Sequence, residues 1–140
     1  MTRTLIDDLV ERRRLNPGMH VYHYNHTERS SLERLAIEHG VGEVRLTALV
    51  DTGLFVDLLT VVTNSMQVGV ESYGLKEIEK LTGFQRSHDI DQGAGAVVEY
   101  DEYCHDGDVA RLVKIARYNE DDVRATRALR DWLIGQRYHL

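Results

Sequence analysis

The chain is poor in the residues that stiffen or cross-link a backbone, with one cysteine, Cys104, and one proline, Pro17, among 140 residues. A single cysteine excludes an intramolecular disulfide and suits a reducing cytosol. Cys104-His105 has no companion pair to complete a zinc site. Long apolar runs are missing too. None approaches the ~20 residues of a membrane-spanning helix. The opening residues, Met1-Thr2-Arg3-Thr4-Leu5-Ile6-Asp7-Asp8, carry acid where a secretory signal is apolar. The expectation is a cytoplasmic chain with no membrane partner. Positive charge is also in deficit: 17 Lys and Arg face 23 Asp and Glu, for a net charge of -6. That argues against a broad basic face gripping nucleic acid, although carboxylates gathered for a metal would push the balance the same way. There is no repeat or low-complexity segment, and the length fits one domain.

What is present is mostly helical pattern. Thr2 to Arg14 pairs Leu5 with Leu9 and Ile6 with Val10 at helical spacing, and Asn16-Pro17-Gly18 ends it. Met19 to Tyr24 reads as a strand, with His20, Tyr22 and Tyr24 on one side and Val21 and His23 on the other. Thr27 is read as the N-cap of a helix reaching His39 that Gly40 or Gly42 stops, and Glu43 to Leu49 as another helix. Leu54 to Leu59 has strand length but could equally open a helix. Ser72 to Leu81 is a short capped helix ended by Gly83, and Gln85 to Gly95 is loop-like. Ala94 to Tyr103 is moderately helical, and Asp106-Gly107-Asp108 is a turn. A helix over Val109 to Arg117, with Leu112, Val113 and Ala116 on its core side, precedes a last helix from about Asn119 to Ile134.

The most informative stretch is Tyr118-Asn119-Glu120-Asp121-Asp122-Val123. Tyr118 and Asp122, four apart, share a helix face. An apolar stripe at Val123, Thr126, Leu129 and Trp132 or Leu133 places Asp122 at the start of a packed helix, near the interior edge. A carboxylate beside a phenol there can hold a metal whose water the phenol orients; a charged surface helix is the plain alternative. A second feature is Tyr24-Asn25-His26-Thr27-Glu28, which sets a carboxylate just after a strand at a helix opening. In two-metal phosphoryl chemistry such a carboxylate binds a hydrated divalent ion, whereas elsewhere it simply favours the helix dipole. His20, His23 and His26 do not converge on one ion without a sharp bend and are read as structural or solvent-exposed. Arg124, Arg127 and Arg130 could contact phosphates, or pair with acids as a solvated face. Arg12, Arg13 and Arg14 suit the dipole at the end of the first helix.

Taken in order, Tyr24-Asn25-x2-Glu28, Val56-Asp57-Leu58, Ser72-Tyr73-Gly74-Leu75-Lys76, Gly83-Phe84-Gln85-Arg86 and Tyr118-x3-Asp122-x3-Thr126-x2-Leu129 resemble the back half of the DEDD exonucleases, the proofreading-type nucleases of the RNase H-like superfamily. The resemblance is to the DEDDy type, as in the exonuclease domain found beside RecB-like or Cas4-like nuclease domains, and runs from about Leu5 to Leu133. It implies a helix-rich α/β fold, a partial RNase H-like (DnaQ-like) domain. It also implies metal-dependent phosphodiester hydrolysis of DNA or RNA with Mg²⁺ or Mn²⁺. Glu28 and Asp122 would be the metal ligands and Tyr118 would orient the attacking water. Asn25 and Asp57 would be supporting or strand-end residues, and Lys76 a phosphate contact. The partners that the resemblance implies are nucleic acid and a RecB-like nuclease or helicase domain; the strand edge at Met19 to Tyr24 separately invites a second copy of the chain.

One departure is large. The family's first motif is Asp-x-Glu on its first strand, and this sequence has no Asp-x-Glu. Asp89-Ile90-Asp91 and Asp106-Gly107-Asp108 fall on the wrong side of the second motif and in loop-like stretches. The strand at Met19 would match the family's fourth, so residues 1–140 are expected to form one exonuclease-type domain, its C-terminal portion, lacking the first three strands. Two carboxylates alone hold a divalent ion weakly, and Met19 to Tyr24 would present unpaired edges. The expectation is a nuclease domain inactive as an isolated chain; the alternative is a non-catalytic structural or interaction fragment that dimerises or docks through that strand.

Overall fold

The computed structural model describes residues 1–69, 72–87 and 93–136. The Asp89-Ile90-Asp91 pattern lies outside the described residues. The chain folds as two compact units, Met1–Gly69 and Val70–Leu140.

The first unit holds α1 (Thr2–Leu15), β1 (Val21–His23), α2 (Thr27–His39), α3 (Glu43–Asp51), β2 (Phe55–Asp57) and α4 (Leu58–Ser65). Helices α1, α2 and α3 pack on one another around Ile6, Ala36 and Leu46, with Val10, Leu32 and Phe55 alongside. The α2–α3 corner depends on Gly42. It has φ +70, and a Cβ there would lie 3.1 Å from Ile6 Cδ1, so both the conformation and the space ask for glycine. Leu54 to Leu59 resolves as both of its readings, because Phe55–Asp57 is strand and Leu58 begins α4.

β1 and β2 run parallel, with Val21 opposite Phe55, Tyr22 opposite Val56 and His23 opposite Asp57. The strand is therefore shorter than Met19 to Tyr24, and one of its edges, expected to be bare, is taken by β2. Thr27 is not the cap of α2. His26 holds the N-cap position and makes no side-chain cap hydrogen bond, while Thr27 is already helical. Arg13 does more than face a dipole: its guanidinium donates to the carbonyls of Met19 and Thr52 and so ties α1 to the turns flanking the sheet.

The second unit holds α5 (Leu75–Ile78), a 3-10 turn (Glu79–Thr82), α6 (Gly93–Asp106) and α7 (Val109–Gln136). Ser72 Oγ accepts from Gly74 N at 3.2 Å ahead of α5, and Gly83, at φ +76, closes the turn. The two helices expected after Asp108 are one. Nothing between Arg117 and Asn119 breaks a helix, and a single asparagine costs only about half a kcal/mol relative to alanine. Arg111 bridges α6 and α7 through Glu99, Glu102 and Asp106, and Lys114 reaches Glu99 at 2.7 Å.

The buried stripe of α7 is Asp121, Ala125 and Leu129. Val123, expected on the core side, is 69% exposed, and Val113 also faces solvent. Ala116 is exposed as well. The stripe was displaced because alanine weighs little in a hydrophobic pattern, yet Ala125 lets neighbours come close and is wholly buried.

Candidate functional site

The first unit brings the end of β1, the end of β2 and the start of α4 together on one carboxylate. Asp57 Oδ1 accepts from Asn25 N at 2.9 Å and from Leu59 N at 3.0 Å. The second bond caps α4. The first requires Asn25 to turn its amide inward, and it does so at φ +70, a left-handed conformation that asparagine tolerates better than other residues with a Cβ. Asn25 Oδ1 in turn accepts from His26 N at 2.8 Å. Asp57 and Asn25 are thus strand-end residues that lock one corner. Burial, then the charge of Asp57, pushes the Tyr24 phenol up to about 12.

The three histidines go to three different oxygens, two of them on Asn25. The Nδ1 atoms lie 3.1 Å from Gly53 O for His20, 2.6 Å from Asn25 O for His23 and 2.7 Å from Asn25 Oδ1 for His26. They do not converge. Glu28 is exposed in the first turn of α2 and makes no ion pair or side-chain hydrogen bond among the described residues.

In the second unit α7 presents Tyr118 and Asp122 one turn apart, as their spacing requires. Two cations meet the tyrosine ring: Lys76 Nζ, from α5, is 5.5 Å from its centroid and the Arg86 guanidinium carbon 5.8 Å. Arg86 donates twice to buried Glu79, Nε to Oε1 at 2.7 Å and Nη2 to Oε2 at 3.0 Å. Its third nitrogen, Nη1, lies 2.7 Å from Asp122 Oδ1. Burial works against the guanidinium charge, but Glu79 and then Asp122 overcome it and hold Arg86 charged well above its ordinary range. The Tyr118 phenol is held above its usual range by burial and by Asp122, with Arg86 pulling the other way. It stays a neutral hydroxyl at neutral pH, able to donate one hydrogen bond and accept others. Next along α7, buried Asp121 accepts from Ser87 N at 2.9 Å and from Ser87 Oγ at 3.1 Å.

Sequence reasoning gave no role to Arg86, Glu79, Asp121 or Ser87. Glu79 carried a signal. It lies four residues after Leu75 and one after Ile78, so a charge sits on the apolar side of the turn and needs a buried partner of opposite sign. Asp121 sits four residues before Ala125 and eight before Leu129, on a stripe that only the alanine reveals.

Among the described residues no three His, Cys, Asp or Glu side chains are grouped to hold a metal ion. The donors of the second unit do not by themselves fit one. Glu79 is committed to Arg86, Asp121 to Ser87, and Asp122 already has a guanidinium against one oxygen.

No curated protein matches the chain, and no solved structure does. A family model, RNase_H_2 of the RNase H superfamily, matches residues 2–134, a span that takes in Tyr24 to Glu28, Asp57, Lys76 and Tyr118 to Asp122, and the chain belongs to that superfamily.

Proposed function

We propose that the chain is the C-terminal portion of a DEDDy-type nuclease domain, one that hydrolyses phosphodiester bonds of DNA or RNA when complete and has little or no activity by itself. The observation that carries the reading is the Tyr118–Asp122 pair on one face of α7, with Lys76 and Arg86 against the tyrosine ring. A neutral phenol one turn from a carboxylate can orient a water. Lys76 beside the ring can give a phosphate group counter-charge, whereas Arg86 is already committed to Glu79 and Asp122. Exonuclease rather than endonuclease action, and a neighbouring RecB-like or helicase domain, are part of the same proposal and rest on the motif order alone.

Members of the superfamily typically use divalent metals. The family's arrangement would make Glu28 and Asp122 the ligands. Support for such a site is limited to those two residues, since the sequence contains no Asp-x-Glu to supply the other carboxylates. The test is cleavage of labelled single- and double-stranded DNA and RNA by the pure chain with Mg²⁺ or Mn²⁺. The expected result is no cleavage above that of Asp122→Asn. Robust cleavage lost in Asp122→Asn would show a complete catalyst and overturn the inactive half of the proposal. Cleavage indifferent to Asp122, Tyr118 and Glu28 would overturn the site assignment.

The second reading is a non-catalytic interaction fragment. The observation in its favour is that the buried carboxylates are satisfied within their own units. A dimer in sedimentation, disrupted by charge placed in β1, would support it.

A further inference from the structure

Arg86 is the residue to which the family reading gives no role. Its guanidinium is held asymmetrically. Two of its nitrogens make directed hydrogen bonds to Glu79, and the side chains of this pair are 13% and 7% exposed. The third, Nη1, meets one oxygen of Asp122, Oδ1, at 2.7 Å. The contact with Asp122 is therefore made through a single nitrogen, not as a fork-to-fork pair like that with Glu79. Asp122 is also the more open carboxylate, at 36% against 7% for Glu79. One side of the guanidinium is anchored, and the other is lent to a carboxylate that solvent can reach.

We propose that Arg86 is the resident counter-cation of Asp122: anchored by Glu79, it occupies the place at Asp122 that a divalent ion would need, so that the carboxylate is compensated without a metal. The inference rests on the reading of Asp122 as the family's site carboxylate, but not on cleavage. A divalent ion on Asp122 would meet a fixed positive charge a few ångströms away in a partly buried setting, where like charges repel far more strongly than in water. Lys76, 5.5 Å from the centre of the Tyr118 ring, brings a second positive charge to the same neighbourhood. Taking the guanidinium away should therefore create divalent-ion affinity at Asp122. A merely structural ion pair between Arg86 and Glu79 predicts no gain that depends on Asp122, only whatever the freed Glu79 carboxylate brings.

The experiment is Mn²⁺ binding to the full chain, read from the electron paramagnetic resonance signal of the free ion. The proteins are wild type, Asp122→Asn, Arg86→Met and Arg86→Met/Asp122→Asn. Wild type and Asp122→Asn should bind equally weakly. Arg86→Met should bind about tenfold tighter or more, and Asp122→Asn should remove that gain. Should Arg86→Met fail to fold by circular dichroism, Arg86→Met/Glu79→Gln removes the pair as two neutral side chains, and a gain of a few fold that depends on Asp122 is expected. No gain in whichever of these variants folds, or a gain that survives Asp122→Asn, overturns the proposal. So does wild-type affinity that falls in Asp122→Asn, a comparison that needs no altered Arg86. Cleavage does not enter these readings. A chain that cleaves through a metal on Asp122 would sink the counter-cation and leave the nuclease, while a chain that never cleaves leaves the binding comparison intact.

Discussion

Replacing Asp57 with alanine and with asparagine separates what its oxygen does from what its charge does. The oxygen accepts two backbone N–H groups, from Asn25 at 2.9 Å and Leu59 at 3.0 Å. Asp57→Ala removes both. Loss of an N-cap costs about 1 kcal/mol. The Asn25 amide, on an exposed residue, can turn partly to water, so its share is at the low end, about 0.5 kcal/mol. The expected loss is about 1.5 kcal/mol for the first unit, with exchange of the Leu59 and Asn25 amides about tenfold faster in both. Asp57→Asn keeps an accepting oxygen and should cost only a few tenths of that, with both amides still protected. Its signature lies elsewhere. Tyr24 stands at about 12 through burial first and the Asp57 charge second. Asparagine should bring the Tyr24 ionisation down part of the way towards 10 without reaching it. The assays are amide exchange by NMR, urea denaturation, and the phenolate absorbance of each variant against pH. Equal destabilisation by asparagine and alanine would refute the reasoning, because it would mean that the charge, not the acceptor, holds the corner.

Glu79→Gln should destabilise the second unit by about 3 kcal/mol, the low end for breaking a buried pair since Arg86 keeps Asp122, and Glu79→Gln/Arg86→Met should recover part of it; the fluorescence of Trp132 in urea reads both. Glu28→Gln should alter stability by no more than about 0.3–1 kcal/mol, the worth of an exposed carboxylate at a helix start, and a larger loss in thermal unfolding would mean that the residue has a structural partner. A raised phenol pKa favours the folded state below the unfolded value, so the contribution of Tyr24 should be complete below pH 10 and disappear as pH rises from 10 to about 12, seen as a falling urea midpoint in that window that Tyr24→Phe makes shallower.

The elements that could be read from the sequence are those whose signals are local. Leu5 with Leu9 and Ile6 with Val10 mark α1, and Gly40 ends α2 and Gly83 the 3-10 turn at positive φ. Tyr118 and Asp122 share a face because four residues make about one turn. What failed depended on tertiary partners. Val113 and Val123 are apolar at helical spacing yet face solvent, while Ala125, a weak signal, lies in the buried stripe. The pairing of β1 with β2 joins residues about thirty positions apart, and three-residue strands are too short for an alternating pattern to announce them. Arg86 was visible only as the last letter of a short motif. Its value comes from Glu79 in the 3-10 turn and from Tyr118 and Asp122 about forty positions further on in α7, partners that a linear reading does not bring together.

The carboxylates of this chain argue for one order of events in any metal chemistry it performs. Asp57 is spent on two amides, Asp121 on Ser87, and Glu79 on Arg86. Glu79 and Asp121 are satisfied by partly buried groups whose loss would leave an unpaired donor or cation, which costs more than a surface interaction returns. Glu28 is the one exposed acid of the candidate set, and Asp122 is half-buried and held by Arg86 through a single nitrogen. Under the proposed reading these two are the residues that would hold the ion. Glu28 is open to it, while Asp122 already has a guanidinium at one oxygen. A second cation at Asp122 would have to displace a guanidinium that Glu79 anchors. Whether it is displaced depends on how many further oxygens reach the ion, and the sequence, with no Asp-x-Glu, supplies none from the first motif. In the chain by itself the guanidinium should win.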